Sequence, residues 1–351
     1  MRAKFQFISS FLAACVLFSA STLLAPRVFA ADGPYSVVDH WKIGGEGGWD
    51  YLLADPSMHV LYITHGTQVE VVDTTTGKKV GAITGFKGTH GIALDSDGKV
   101  GFISGGAGNE VVAFDRKTYA RIASIPTGQN PDGILFEPVT KTVWAFNGRS
   151  SDATVIDAAS LKVTATIKLS GKPEFPVADG AGHVFVNIET KNSVVRFDAK
   201  TLAVTAEWPL PGCESPSGQA IDAAHHRLFA VCDGKVMTIT DSETGKQIAK
   251  ASIDEGPDAA GFDARNQVAF SSNGGTGTLS IVSTKAGDNF KTIQTLPTQK
   301  GARTMAFDTG NGRVYLLAAE YGPPPPATVQ NARPRPTVLP GSFSVIVVAR
   351  K

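Results

Sequence analysis

Seven positions along the chain carry side chains that could do chemistry, and each lies five residues before an acidic residue that recurs from unit to unit. Four of the seven are carboxylates, and the others are an imidazole, a hydroxyl and a guanidinium. Carboxylates held at close range repel one another, so they either take up protons or bind a cation. The seven residues are Asp50, His90, Asp132, Glu174, Ser217, Asp258 and Arg303.

Two kinds of chemistry fit these residue types. His90 is a candidate general base, and Arg303 could pair with a carboxylate of the protein or bind one on a substrate. Oxygen ligands suit a hard ion such as Ca²⁺ or Mg²⁺. The alternative is a water-filled channel in which backbone N–H groups satisfy each acid. The candidate metal ligands are Asp50, Asp132, Glu174 and Asp258.

An internal repeat of about forty residues sets these positions. An apolar run that ends in Asp recurs in steps of 41 to 43 residues, and a serine continues the register. Its members are Asp73, Asp115, Asp157, Asp198, Asp241 and Ser283. A second acid lies upstream between two apolar runs and occurs in seven units, at Asp55, Asp95, Glu137, Asp179, Asp222, Asp263 and Asp308.

Each unit contains four runs of strand length, rich in Val, Ile, Phe and Thr and separated by short polar clusters. Charged residues make up only 19% of the chain, and 37 Gly and 20 Pro supply turns. Four antiparallel strands in such a repeat form one blade of a β-propeller. The sequence therefore predicts an all-β, seven-bladed β-propeller, whose inner strands bring the seven residues to one mouth of the axial channel. We call these residues the axial ring.

The two ends of the chain predict how the propeller closes. The seventh unit lacks an outer strand, because its third strand at residues 343–348 ends almost at the C-terminus. Residues 35–43 precede the first complete unit and have the pattern of an outer strand. Pairing this segment with the last blade closes the ring and removes exposed strand edges. A β-solenoid is the rival architecture, but it would need capping repeats.

The units resemble a known family. Segments such as VEVVDTTTGKKV and MTITDSETGKQI, and the closing stretch GARTMAFDTGNGRVYLLAAEYGPPPP, are similar to the repeats of YncE-like (YVTN-repeat) propellers. The resemblance covers essentially the whole chain after residue 30 and implies a seven-bladed propeller. It leaves the activity open, since propellers serve as enzymes, scaffolds and binding modules alike. It also suggests single-stranded nucleic acid as a ligand.

The first thirty residues have the pattern of a signal peptide. Arg2 and Lys4 precede a mostly apolar stretch that ends at Val28-Phe29-Ala30, a plausible cleavage site. An uncleaved anchor, or lipid attachment at Cys15, is the alternative. We therefore expect a signal peptide at 1–30, a single propeller domain at 31–351, and a periplasmic or secreted protein.

The remaining chain is nearly neutral. Thirty basic residues face thirty-two acidic ones, a net charge of about −2, which gives no general attraction to phosphate backbones or anionic membranes. Nucleic acid is therefore disfavoured as a partner, and we expect a monomer without membrane contact after cleavage. Cys213 and Cys232 are an even pair in an oxidising compartment, which predicts a disulfide; two buried thiols are the alternative.

A Pro-rich insert at 321–341 follows the second strand of the last blade. By strand direction it shares a face with the axial ring, where it could form a lid, a docking strip or a solvated loop. Arg333 and Arg335 would bring positive charge to that face.

Two functions remain from the sequence. One is a binding module or scaffold that holds an unknown protein or small-molecule ligand at the axial ring. The other is a metal-dependent, lactonase-like hydrolase, in which a cation polarises an ester carbonyl and His90 acts as base. The sequence contains neither a G-x-S-x-G nor an H-E-x-x-H signature, which favours binding.

Overall fold

A computed structural model describes Met1 and residues 33–287, 289–326 and 336–351. Apart from Met1, the predicted signal peptide lies outside the described residues, and so do Arg333 and Arg335. Within the described part of the chain, no helix combines the length and the apolar character that crossing a bilayer requires.

The described strands pair into seven antiparallel sheets of four strands each, which confirms the predicted seven-bladed β-propeller. Blades 1 to 4, each from its inner to its outer strand, are β2 (Trp49–Asp55), β3 (Val60–His65), β4 (Gln68–Asp73) and β5 (Lys79–Thr84); β6 (Thr89–Leu94), β7 (Val100–Gly105), β8 (Glu110–Asp115) and β9 (Arg121–Pro126); β10 (Pro131–Glu137), β11 (Thr142–Asn147), β12 (Asp152–Asp157) and β13 (Lys162–Lys168); and β14 (Pro173–Ala178), β15 (His183–Ile188), β16 (Ser193–Asp198) and β17 (Ala203–Pro209).

The remaining blades follow the same order. They are β18 (Gln219–Asp222), β19 (Arg227–Cys232), β20 (Val236–Asp241) and β21 (Gln247–Ser252) in blade 5; β22 (Pro257–Asp263), β23 (Val268–Asn273), β24 (Thr278–Ser283) and β25 (Thr292–Pro297) in blade 6; and β26 (Met305–Asp308), β27 (Arg313–Ala318), β28 (Ser344–Arg350) and β1 (Tyr35–Lys42) in blade 7. Short 3₁₀ helices occupy Gly106–Gly108, Glu189–Lys191 and Ala223–His225.

The N-terminal strand closes the ring, as the sequence predicts. β1 pairs antiparallel with β28, from Tyr35 opposite Arg350 to Lys42 opposite Ser344. The side chain of Gln294, in the outer strand of blade 6, also binds the backbone of Tyr35. Its Oε1 accepts from the Tyr35 N–H at 3.0 Å, and its Nε2 donates to the Tyr35 carbonyl at 2.9 Å. Blade 7 therefore contains the first and the last strand of the described chain, and its outer edge is tied to its neighbour.

The recurring acids cap hairpin turns. Glu137 accepts hydrogen bonds from the backbone N–H groups of Val139 and Thr140, at 3.0 and 2.7 Å, in the turn after an inner strand. Asp157 accepts one from the N–H of Ser160 at 2.7 Å, in the turn after a third strand. Because strand direction alternates, both kinds of turn lie on the same face, which we call the turn face. The axial ring lies at the other ends of the inner strands, on what we call the ring face.

Apolar side chains between neighbouring sheets form the core. Between blades 1 and 2, Tyr62 and Val71 pack with Ile103 and Phe114, and all four are fully buried. Strands buried on both faces favour β-branched and aromatic residues, which accounts for the Val-, Ile- and Phe-rich runs of the sequence.

A buried arginine joins blades 1 and 2 at the turn face. The Arg116 guanidinium donates to Asp55 Oδ2 at 2.5 Å and to Asp95 Oδ1 at 3.2 Å. Arg116 and Asp55 are 4% and 2% exposed, so the pair is almost completely shielded from water. Removing one partner of such a buried pair strongly destabilises the folded protein, because it leaves the other charge buried and unpaired.

Candidate functional site

The axial ring lies where the inner strands begin. In blades 1, 2, 3, 4 and 6 the ring residue is the second residue of its strand, whereas Ser217 and Arg303 stand two residues before β18 and β26. In those five strands the pairing with the second strand is irregular at this point, as between Trp49 and Leu52 in β2. Such bulges break the regular alternation of side chains and re-aim the residue within them.

Side chains of adjacent blades fix the backbone of the axial ring. The Ser104 hydroxyl of blade 2 donates to the carbonyl of Asp132 in blade 3, at 2.6 Å. Similar bonds run from one blade to the next around much of the ring, so the backbone at these positions is held on a rigid scaffold. They are Thr304 to Asp50 O at 2.7 Å, Asn187 to Ser217 O at 3.0 Å, Ser217 to Pro257 O at 3.1 Å, and Ser272 to Arg303 O.

Five ring residues form an arc of alternating charge. Arg303 Nε donates to Asp258 Oδ2 at 2.6 Å, and its Nη2 lies 3.5 Å from Asp50 Oδ1. Asp50 Oδ2 in turn accepts from His90 Nδ1 at 2.6 Å, and that nitrogen lies 3.8 Å from Asp132 Oδ1. The arc runs through blades 6, 7, 1, 2 and 3 and ends at Asp132, whose carboxylate has no hydrogen bond to any described residue.

The other two ring residues turn to different partners. Glu174 accepts from Lys172 Nζ at 2.5 Å, and the same ammonium lies 2.6 Å from Glu189. The Ser217 hydroxyl donates to the carbonyl of Pro257 at 3.1 Å. The acids of the axial ring are thus satisfied mainly by basic side chains, rather than by the backbone N–H groups of the water-filled alternative.

Negative charge exceeds positive charge at this site. Five carboxylates face three bases, which leaves two negative charges when every group is ionised. The carboxylates are Asp50, Asp132, Glu174, Glu189 and Asp258, and the bases are His90, Lys172 and Arg303.

Burial and mutual repulsion shift the pKa values of the ring acids upward. Burial, followed by the charge of Asp50, raises the pKa of Asp132 to about 6. Burial raises the pKa of Asp258 to about 6 although Arg303 opposes it, and burial with the charge of Asp132 raises the pKa of Glu174 to about 8 against the pull of Lys172. The site therefore holds protons near neutral pH that ordinary carboxyl groups have released.

The histidine of the arc favours its charged form. Burial lowers the pKa of His90, but the hydrogen bond to Asp50 and the charges of Asp132, Asp50 and Glu174 outweigh burial, so the pKa lies above its ordinary value. This shift favours the protonated imidazole, whose Nδ1 donates to Asp50.

Two aromatic residues that the sequence analysis missed lie next to the axial ring. Tyr51 and Phe175 directly follow the ring residues of blades 1 and 4, and their ring centroids lie 4.9 Å apart. Strands three blades apart can meet only across the axis, so we call this pair the aromatic floor. The equivalent positions in the other blades are small, at Gly91, Gly133, Gly218, Ala259 and Thr304. An alignment of the units one residue beyond the ring would have found the two exceptions.

Part of the predicted metal set has suitable geometry. Asp50, His90 and Asp132 each offer a ligand atom, and these atoms lie within 4.8 Å of one another. Among the described residues, Glu174 and Asp258 do not belong to such a group, and Lys172 and Arg303 already bind them. A cation at the three-residue group would have to replace the proton on His90, because a metal ligand must be deprotonated.

The described base of the Pro-rich insert lies on the ring face, as strand direction predicts. Tyr321 forms an isolated antiparallel bridge with Val338, and its ring centroid lies 6.3 Å from that of Trp49. The Trp49 carbonyl accepts a hydrogen bond from Arg303 at 3.4 Å. The base of the insert is thus two contacts away from the axial ring.

The predicted disulfide is present. Cys213 and Cys232 are bonded, with their Cα atoms 5.3 Å apart, between the segment before β18 and the end of β19. The bridge fastens the segment that carries Ser217 to the ring face of blade 5. A structural disulfide indicates a compartment outside the reducing cytoplasm.

Comparisons with known proteins agree on the fold. No family model matches the chain, and no curated protein matches it in sequence. The hydrazine synthase of Kuenenia stuttgartiensis superposes with a TM-score of 0.69 and 16% identity, over 78% of this chain and 93% of that chain. The WD40 repeats of RRP9 superpose with a TM-score of 0.72 and 10% identity, over 91% of this chain and 98% of that chain. U3-55K superposes with a TM-score of 0.71 and 10% identity, over 89% of this chain and 98% of that chain. Identities this low show a shared fold alone.

Proposed function

We propose that this chain is an exported, YncE-like propeller of the bacterial periplasm that binds a small, positively charged ligand at its axial ring. The observation that carries the proposal is the uncompensated end of the charged arc. Asp132 has no direct hydrogen-bond partner among the described residues, and its nearest cationic atom is His90 Nδ1 at 3.8 Å. Burial, and then repulsion between the acids, raises the pKa values of Asp132 and Glu174, and a cation beside Asp132 would relieve that repulsion.

The rigidity of the site supports binding rather than a purely solvated channel. Hydrogen bonds between blades hold the ring backbone, so little conformational entropy would be lost when a ligand binds. Export is supported by the signal-like N-terminal sequence together with the disulfide.

Titration calorimetry on the purified protein tests this function, with Ca²⁺, Mg²⁺ and simple ammonium compounds as probes at pH 8. We expect at least one cation to bind with a Kd below about 1 mM and to bind about tenfold more weakly to Asp132→Asn. Asp97→Asn is the matched control, because Asp97 is an exposed aspartate on the turn face. Equal binding to both variants, or no binding of any cation, would disprove the proposal.

The alternative is the metal-dependent hydrolase, which the grouping of Asp50, His90 and Asp132 supports. These residues would hold a divalent cation, which could polarise an ester carbonyl as a Lewis acid. This reading requires bound metal in the purified protein by elemental analysis, a melting temperature that falls with chelator, and lactone turnover that Asp132→Asn abolishes. Metal-free protein that chelators do not affect would eliminate it.

A further inference from the structure

The aromatic floor gives the axial site a second chemical character. Its two rings are in contact across the axis, one residue further along the inner strands than the ring residues Asp50 and Glu174. Tyr51 is 5% exposed, whereas Phe175 is only partly buried. Carboxylates over an apolar, π-rich surface suit a ligand that carries positive charge at one end and apolar surface at the other.

Tyr51 is an unpartnered polar group inside this site. Its hydroxyl makes no hydrogen bond with any described residue, although the side chain is almost fully buried. Burial, and then the charges of Asp258, Asp50, Asp132 and Glu174, hold the pKa of Tyr51 well above its ordinary value. The phenol therefore stays protonated and lies within reach of the fields of four ring carboxylates. A polar ligand could supply the hydrogen bond that this hydroxyl does not make with the described residues.

The existing contacts of the ring acids disfavour a bare metal ion. Asp50 already accepts from His90, Glu174 from Lys172 and Asp258 from Arg303, at 2.6, 2.5 and 2.6 Å. A hard ion with six or more oxygen ligands would have to break several of these bonds. An ammonium group needs only two or three acceptors, and neither the Asp132 carboxylate nor the Tyr51 oxygen has a hydrogen bond to a described residue.

We propose that the ligand is an organic ammonium compound, with its charged nitrogen beside Asp132 and its apolar body packed on Tyr51 and Phe175. This inference depends on the proposed function, because it names the chemical class of the cation that the axial ring binds. The ammonium would donate to the carboxylate of Asp132 and to the phenol oxygen of Tyr51, and the rings would contribute cation–π attraction and apolar contact.

Calorimetry with four probes on the full chain tests the ligand class. They are 2-phenylethylammonium, its neutral analogue 2-phenylethanol, methylammonium and Ca²⁺, all at pH 8. We expect 2-phenylethylammonium to bind about tenfold or more tightly than each of the other three, because it alone combines both features. Binding of Ca²⁺ without binding of either ammonium probe would overturn this inference and leave the proposed function standing. Failure of all four probes, and of Mg²⁺ as well, would overturn both.

Variants test which residues contact the ligand. We expect Phe175→Leu to weaken 2-phenylethylammonium about fivefold to tenfold and to leave methylammonium unchanged, whereas Asp132→Asn should weaken both ammonium probes. Tyr51→Phe keeps the ring and removes the hydroxyl, so it provides a second reading if Phe175→Leu does not fold. Asp97→Asn is again the control. Unchanged affinity for 2-phenylethylammonium in both Phe175→Leu and Tyr51→Phe would refute the contact with the aromatic floor.

Discussion

The carboxyl groups on the two faces of the propeller differ in the hydrogen bonds that they accept. Asp132 and Glu137 lie five residues apart in the same strand, β10. At the turn face Glu137 accepts two backbone N–H groups and a threonine hydroxyl, whereas at the ring face Asp132 accepts no hydrogen bond from a described residue. A hairpin turn directs backbone N–H groups at an acid, and the start of an inner strand does not.

The same difference extends along the chain. Turn-face acids such as Asp157 and Asp179 have lowered pKa values. Hydrogen bonds from Ser160 lower the pKa of Asp157, and at Asp179 burial raises the pKa but hydrogen bonds from its own turn outweigh burial. At the ring face the acids Asp132, Glu174 and Asp258 have raised pKa values. Acids that recur in every unit thus serve the fold, and residues that vary between units at one position are the candidates for function.

The largest difference in stability should appear when one arginine is removed from each face and the two variants are compared. Arg116→Ala leaves Asp55 buried without its partner, so we expect the free energy of unfolding to fall by about 3–5 kcal/mol. Arg303→Ala should cost no more than about 1 kcal/mol at pH 6, because the Arg303 side chain is 40% exposed and Asp258 can take up a proton. Urea denaturation of both variants at pH 6 measures the difference. Equal losses would mean that the two faces do not differ in this way.

A second test uses the raised pKa values of the ring face. Asp132 and Glu174 have pKa values of about 6 and about 8 in the folded chain, against ordinary values of 3.8 and 4.5. The folded state therefore binds more protons than the unfolded state, and the free energy of unfolding should fall as pH rises from about 5 to about 8, by on the order of 1–3 kcal/mol.

Urea denaturation at several pH values measures this slope. The double variant Asp132→Asn with Glu174→Gln should make it shallower, because two of the three ring acids with raised pKa values are removed and only Asp258 remains. A wild-type stability that rises over the same interval would contradict the assignment.

The smallest effect compares one acid from each face. Asp263 is 3% exposed and accepts hydrogen bonds from the N–H groups of Arg265 and Asn266, at 2.9 and 3.1 Å. Asp263→Ala should therefore lower the free energy of unfolding by about 1–2 kcal/mol. Asp132→Asn should leave it unchanged or raise it slightly at pH 8, because a repelling charge disappears. Thermal denaturation at pH 8 compares the signs, and a loss of stability in both variants would remove the contrast.

The repeated features were predictable because each is made locally. The acids at Asp55 to Asp308 and at Asp73 to Asp241 mark turns, so their spacing determines the number of blades and of strands in each. Equivalence between units then predicts which residue of each unit starts the inner strand. Which charged group each of these residues would contact was not predictable, because the contact comes from another blade: Arg303 of blade 7 binds both Asp258 of blade 6 and Asp50 of blade 1.

The sequence by itself thus determined the seven blades, the closing strand near the N-terminus and the place of the seven ring residues at the starts of the inner strands, since periodic turns and strands follow from local residue preferences. Only the tertiary structure decided that Asp132 ends an arc of paired charges, and that Tyr51 and Phe175 meet across the axis. Closing the ring brings residues from separate blades to one point, and no local pattern encodes which of them will touch there.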